Sequence, residues 1–144
     1  MNKFALLFLA ASGVSIAATD PNPFPFDHRQ LSGWWGESYN TDPACGPENL
    51  KSTMEVSSDG KRLQVRFDRR WKTELGEMEG ISADIVSATA RTLVIRYENE
   101  TRKKSSGVPV EWELVIVAPG VYRWRETEWK QNAVNTVVGI RCSP

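Results

Sequence analysis

From about residue 33 onward, apolar and polar side chains alternate with a period of two, and glycines and prolines punctuate the alternation. Successive side chains on a strand point to opposite faces, so this period marks strands that bury one face only. The predicted strands cover 33–39, 52–58, 61–68, 81–88, 91–98, 108–117, 121–129 and 135–142. No ten-residue helical pattern separates them, which argues for an antiparallel meander and against a parallel sheet with crossover helices. Only Lys72–Glu79 invites a helical reading, and it lacks a useful apolar stripe. Eight strands with one apolar face each can close into a barrel or split into a sandwich. Closure removes both exposed edges, so the expected fold is all-β: an eight-stranded antiparallel up-and-down barrel.

The turns can be tested by register. A two-residue Asp59-Gly60 hairpin sets Val56 opposite Leu63, Met54 opposite Val65, Glu55 opposite Gln64 and Lys51 opposite Asp68, giving one dry and one wet face. A turn near 88–90 sets Ile85 opposite Leu93, Ala83 opposite Ile95 and Ile81 opposite Tyr97, with Ser82 beside Arg96. At Ala118-Pro119-Gly120 two registers compete. A three-residue loop pairs Leu114 with Trp124, Ile116 with Tyr122 and Glu113 with Arg125, and matches both charge and apolarity. Pro119 is uncomfortable at the second helical position of a type I turn, which tells against that register.

The chain begins with Lys3, an apolar run from Phe4 to Ala11 and the small-residue stretch Ser15-Ile16-Ala17-Ala18. This pattern reads as a secretory signal peptide over residues 1–18, cleaved near residue 17 or 18, and the run is too short to span a membrane. About 126 residues then remain, enough for one domain. Residues 19–30 carry Pro21, Pro23 and Pro25 and read as an extended arm, ending in a short 3₁₀ turn at Asp27–Gln30. Phe24 and Phe26 are placed to pin that arm to a single barrel domain at 31–144.

Basic and acidic residues number 18 each, and loss of Lys3 leaves 17 against 18. A near-zero balance gives no bulk attraction to nucleic acid or anionic membrane. One histidine and two cysteines are too few for a His-rich or Cys-rich metal cluster, and no cofactor is implied. In a periplasmic or secreted chain, Cys45 and Cys142 default to a disulfide, with two buried thiols as the alternative.

The most distinctive patch is Leu31-Ser32-Gly33-Trp34-Trp35-Gly36. Gly33 allows a sharp entry into the first strand, Trp34 and Trp35 compete for the inward position, and Arg141 stands at the far end of the chain. Arg141 over Trp35 would be a cation–π pair worth about 1–2 kcal/mol. This patch resembles the calycin superfamily, in particular the lipocalins, whose first strand opens with Gly-x-Trp after a 3₁₀ turn. There a late arginine packs on the tryptophan, and a disulfide often ties the chain end to the barrel. The matching residues are Gly33, Trp35 and Arg141, with Cys45 and Cys142, all structural. The resemblance implies a cup for a small apolar ligand, and the chain is expected to be a monomer.

Catalysis finds little support. His28 sits in the proline-rich arm, where a triad would lack a rigid orienter. The pairs Glu98/Glu100, Glu111/Glu113 and Glu126/Glu128 each share a strand face, as ion-paired surface carboxylates also do. The chain is therefore expected not to be an enzyme. An inward face of Phe67, Tyr97, Trp112, Tyr122 and Trp124, with Glu126 near the rim, would either bind a small apolar or amphipathic molecule or fill the barrel completely. The alternative is an interaction or inhibitor module that meets an envelope protein through the basic loop 99–107, with Arg102, Lys103 and Lys104.

Overall fold

The computed structural model describes residues 24–38, 43–73, 76–130 and 132–142. The leader at 1–18 and the arm as far as residue 23 lie outside the described residues. A 3₁₀ turn, His28–Leu31, precedes eight strands: β1 (Trp34–Ser38), β2 (Lys51–Val56), β3 (Arg62–Thr73), β4 (Gly76–Ala88), β5 (Thr92–Tyr97), β6 (Trp112–Ala118), β7 (Val121–Glu126) and β8 (Val138–Cys142). Each strand pairs antiparallel with the next, and β8 returns to pair with β1 from Trp34–Cys142 to Ser38–Val138. The sheet is a closed, lipocalin-like up-and-down barrel.

Two of the three expected registers hold. Val56 faces Leu63, Met54 faces Val65 and Glu55 faces Gln64. The turn itself differs. Gly60 N–H donates to the Ser57 carbonyl and Ser57 N–H to the Arg62 carbonyl, both at 2.9 Å. Ser58 and Asp59 are therefore the central residues, and Gly60 follows them at φ +69°. The longer loop keeps the same strand offset, so the register survives. On β6–β7, Leu114 faces Trp124, Ile116 faces Tyr122 and Glu113 faces Arg125. A bulge between Ile116 and Ala118 reconciles the two loop lengths: Ala118 faces Val121 across Pro119-Gly120 alone. Pro119 then takes the first central position, which suits its fixed φ, and Gly120 the second at φ +73°.

The middle hairpin is a correction. Ile85 faces Ile95, Ala83 faces Tyr97 and Asp84 faces Arg96. Ser82 is not opposite Arg96. An irregularity between Ile85 and Ser87 and a turn closed by Thr89 N–H on the Thr92 carbonyl (2.9 Å) move the pairing by two residues. A shift of two leaves every side chain on its face, so the apolar interior is unchanged.

Strands β3 and β4 outrun their predicted ends at 68 and 81, and the described part of Lys72–Glu79 is strand. Beyond Phe67 polar residues predominate and Trp71, paired with Met78, is an isolated apolar contact, so the hydrophobic alternation stops while the hydrogen-bonded ladder continues. The Arg70–Glu79 ion pair (2.9 Å) spans this outer ribbon, and Trp71 on it is exposed. Among the described residues no helix is long and apolar enough to cross a membrane.

One end of the barrel is plugged. Trp35 and Leu31 are each 1 % exposed, Phe26 is 2 % exposed, and Trp34 faces solvent. Trp35 Nε1 donates to the Leu31 carbonyl at 2.9 Å, so the 3₁₀ turn is fastened to the ring it covers. Arg141 lies 5.0 Å from the Trp35 ring and donates to the Gln30 carbonyl at 2.5 Å. Gln30 in turn donates to the Ala90 carbonyl, at 2.9 Å. The arm is thus docked across the barrel base from Phe24 onward.

Cys45 and Cys142 form a disulfide with Cα atoms 5.5 Å apart. Their sequence separation of 97 sets an entropic ceiling on the order of 4–5 kcal/mol for its effect on stability. The chain after β1 must run close to that strand, and Gly36 permits it. A Cβ there would sit 1.9 Å from the Ala44 carbonyl oxygen.

Trp35→Ala should cost about 3–5 kcal/mol in urea unfolding, as for other buried large aromatics. Arg141→Ala should cost about 1–2 kcal/mol, and a double-mutant cycle should return coupling of similar size. Additive losses would show that the two side chains do not support one another.

Candidate functional site

The barrel interior has two halves. Toward the plug, Leu63, Leu93, Ile95 and Leu114 are 0 % exposed and leave a dry, filled layer. Toward the other end, where β1 finishes and β2 begins, a cavity of about 440 Å³ opens. Trp35 forms part of its lining, as do the apolar side chains of Met54, Val65 and Ile81. Phe67, Tyr97, Tyr122 and Trp124 add aromatic walls, and Trp71 extends them from the outer ribbon. Glu48, Asn49, Leu50 and Ser52 complete the lining on the β2 side. The volume is within the range usual for small-molecule sites, roughly 300–1,000 Å³.

The polar centre of the cup is Glu37. Its Oε1 accepts from the Tyr122 hydroxyl at 2.9 Å and from Trp124 Nε1 at 3.2 Å. Strand pairing brings these groups together through a residue with no side chain. Gly139 on β8 faces Glu37 on one side and Tyr122 on the other. A Cβ on Gly139 would lie 2.1 Å from the Tyr122 ring. Tyr122 therefore lies over Gly139 and reaches the β1 carboxylate. Burial pushes the Tyr122 phenol far above its ordinary pKa, and the charge of Glu37 adds to the shift. Burial and the same carboxylate also raise Tyr97. Both phenols thus remain protonated donors at any ordinary pH.

Four of the six predicted lining residues, Phe67, Tyr97, Tyr122 and Trp124, come together around this cavity. Trp112 and Glu126 do not line it. Trp112 packs against the core, meets Trp129 edge-on at 5.9 Å and carries Arg102 over its ring at 5.4 Å. Glu126 faces Trp112 across the β6–β7 pair. The sequence reading missed Glu37, although period two from the inward Trp35 puts it on the same face. It also missed Trp71, which lies beyond the point where alternation fails.

The basic loop is largely neutralised. Arg102 forms a forked pair with Glu100 at 2.8 and 2.5 Å, which holds that carboxyl below the usual range. Lys104 Nζ donates to Glu111 at 2.5 Å, with both side chains nearly buried. Lys104 first, and Arg96 after it, hold Glu111 below the usual carboxylate range against the opposing effect of burial. Lys103 alone of the three basic residues has no acidic partner among the described residues. The carboxylate pairs are likewise engaged: Glu98 with Arg62, Glu113 with Arg125, and Glu128 with Ser105. Among the described residues no group of three or more His, Cys, Asp or Glu is placed to hold a metal.

Fold and site together define a small closed β-barrel, plugged at one end and cupped at the other. Comparison with protein-family models, curated proteins and solved structures finds no match to this chain.

Gly139→Val should displace the Tyr122 ring and cost about 1–3 kcal/mol, as overpacking does. The near-UV circular dichroism of the aromatic cluster should change with it. An unaltered aromatic spectrum at wild-type stability would mean that Tyr122 does not depend on the empty position.

Proposed function

We propose that this chain is an exported, monomeric, non-enzymatic binding protein of the lipocalin type. It holds one small apolar or amphipathic molecule in the cup between Trp35 and the open rim. The observation that carries this reading is the cavity itself, lined by apolar and aromatic side chains around a few convergent polar groups. Such a lining buries the body of a guest, while the Tyr97 and Tyr122 hydroxyls and the Glu37 carboxylate fix its orientation. Kinship with the calycins is supported by Gly33 at the entry to β1, by Arg141 over Trp35 and by the closed topology. Export is supported by the character of residues 1–18 and fits a chain that carries a disulfide. The alternative, partner binding through Arg102, Lys103 and Lys104, has less support, because Glu100 and Glu111 already engage two of the three.

Mature protein with its disulfide intact should bind a neutral, environment-sensitive apolar dye saturably, near one per monomer. Trp124→Ala should weaken that binding about tenfold, equivalent to about 1.4 kcal/mol. Arg123 lies on the opposite strand face and donates to the Asn135 carbonyl, so Arg123→Ala should have little effect. Non-saturable uptake, or equal effects of the two substitutions, would overturn the carrier reading. Protein recovered from the periplasm after bacterial expression should have the mass of a chain starting at residue 18 or 19. Retention of the leader in the soluble product would overturn export.

A further inference from the structure

We propose that the plugged end of the barrel carries a second site, a cleft between the docked arm and the β6–β7 turn that takes a phosphate monoester. The cleft measures about 310 Å³ and lies at the end opposite the cup. Three arginines from separate elements border it: Arg29 on the 3₁₀ turn, Arg91 at the entry to β5 and Arg141 on β8. The β6–β7 hairpin holds two of them through the main chain. The Arg91 carbonyl accepts from Ile116 N–H, and Arg141 N–H donates to the Gly120 carbonyl, both at 2.9 Å. The Gln30 side chain donates to the Ala90 carbonyl at 2.9 Å, which sets the 3₁₀ turn beside Arg91.

The charge balance of the lining carries the inference. Asp27 is the one carboxylate in it among the described residues. Arg29 takes that carboxylate in a forked pair, with two contacts of 2.9 Å, and holds it below the usual carboxylate range. Arg91 and Arg141 have no acidic partner among the described residues. Arg91 Nη2 reaches the Val117 carbonyl at 3.4 Å, and Arg141 Nη2 reaches the Gln30 carbonyl at 2.5 Å. Other carboxylates at this end are engaged elsewhere: Asp59 accepts from the Ser57 hydroxyl and the Lys61 main-chain N–H, and Asp84 pairs with Arg62. Two guanidinium charges thus border one cleft without a counter-charge of their own. A phosphate monoester brings nearly two negative charges and three acceptor oxygens. Guanidinium groups meet such oxygens through paired N–H donors, a geometry that lysine lacks. A monoanion would leave one of the two charges unmatched. Ile116 and Pro119 add apolar wall beside the charges, where the organic part of an ester can rest.

Methyl phosphate and methyl sulfate share a shape and differ by one charge at pH 8, and neither has an apolar body to enter the cup. Each is titrated calorimetrically into the mature, disulfide-bonded protein. Methyl phosphate should bind saturably, near one per monomer, and about tenfold tighter than methyl sulfate. Arg91→Gln should weaken it about tenfold. Asp27→Asn keeps an acceptor for the 3₁₀ turn but releases Arg29, so it should tighten binding about threefold. Lys103→Gln, at the other end of the barrel, should change affinity less than about twofold. Absence of binding, no preference for the phosphate, or equal losses in R91Q and K103Q would overturn the inference. If R91Q does not fold, D27N decides, and unchanged or weaker binding there would overturn it too. Phosphatidylcholine vesicles with and without phosphatidic acid separate the sources of the phosphate. Capture only by the phosphatidic acid vesicles, reversed by methyl phosphate, would support a lipid headgroup at this site. Binding of methyl phosphate without capture would support a free ester.

Discussion

Trp35 is the side chain on which the closed barrel turns. Its strand pairs with β2 through Ser52 and with β8 through Arg141, so it stands at the seam where the first and last strands join. Its indole N–H fixes the 3₁₀ turn, its ring faces the Arg141 guanidinium, and its body belongs both to the core cluster and to the cavity lining. Burying a large aromatic there supplies hydrophobic stabilisation and also closes the base, which leaves only one end able to open. The disulfide acts at the same seam. It ties the segment after β1 to the last residue of β8, so closure is held by side-chain packing, a strand ladder and a covalent bond together.

Above that base the interior changes character over a short distance. The layer of Leu63, Leu93, Ile95 and Leu114 is fully excluded from water, whereas the next inward position on β1 is a carboxylate. Taking a charge out of water is costly unless hydrogen bonds replace the lost hydration. Tyr122 and Trp124 supply two such bonds, both from β7. Aromatic residues that could have filled the barrel instead turn their polar tips toward Glu37. Their apolar faces remain available to the cavity.

Much of this was legible from alternation. Strand number, topology, the inward aromatics and two of three registers follow from period two and turn chemistry, and the disulfide pair from two cysteines behind an export-type leader. The failures have specific causes. A displaced turn at 89–92 and a bulge at 85–87 together moved the middle hairpin by two residues, a shift that period two cannot detect because it preserves faces. The outer ribbon of β3 and β4 carries Arg69, Arg70, Lys72, Glu77 and Glu79, so its strands are held by backbone pairing rather than by a buried face. Trp112 was assigned to the cup because it faces inward, but the segment before β6 folds over it and Arg102 covers its ring. Direction along a strand is set locally; which inward residues border space is set by the connections that cross the rim.

The same distinction explains why an interior with so many large aromatics is not solid. Volume left in a barrel depends on the smallest inward residues as much as on the largest. On β8, inward Gly139 has no side chain, and Tyr122 lies over it instead of projecting into the barrel axis. On β2, Ser52 rather than a large apolar residue lines the cup beside Met54. The result is space bordered by rings from β1, β3, β5 and β7, with the short Ser52 among the larger side chains of the wall. Filling it with larger apolar groups would bury more surface, yet it would place them against the Glu37 carboxylate and cost that group part of its polar surroundings. The open half therefore trades core packing for a polar anchor at the bottom of a cup, and the dry layer beneath it, with the Trp35 plug, carries the stability that the upper half gives up.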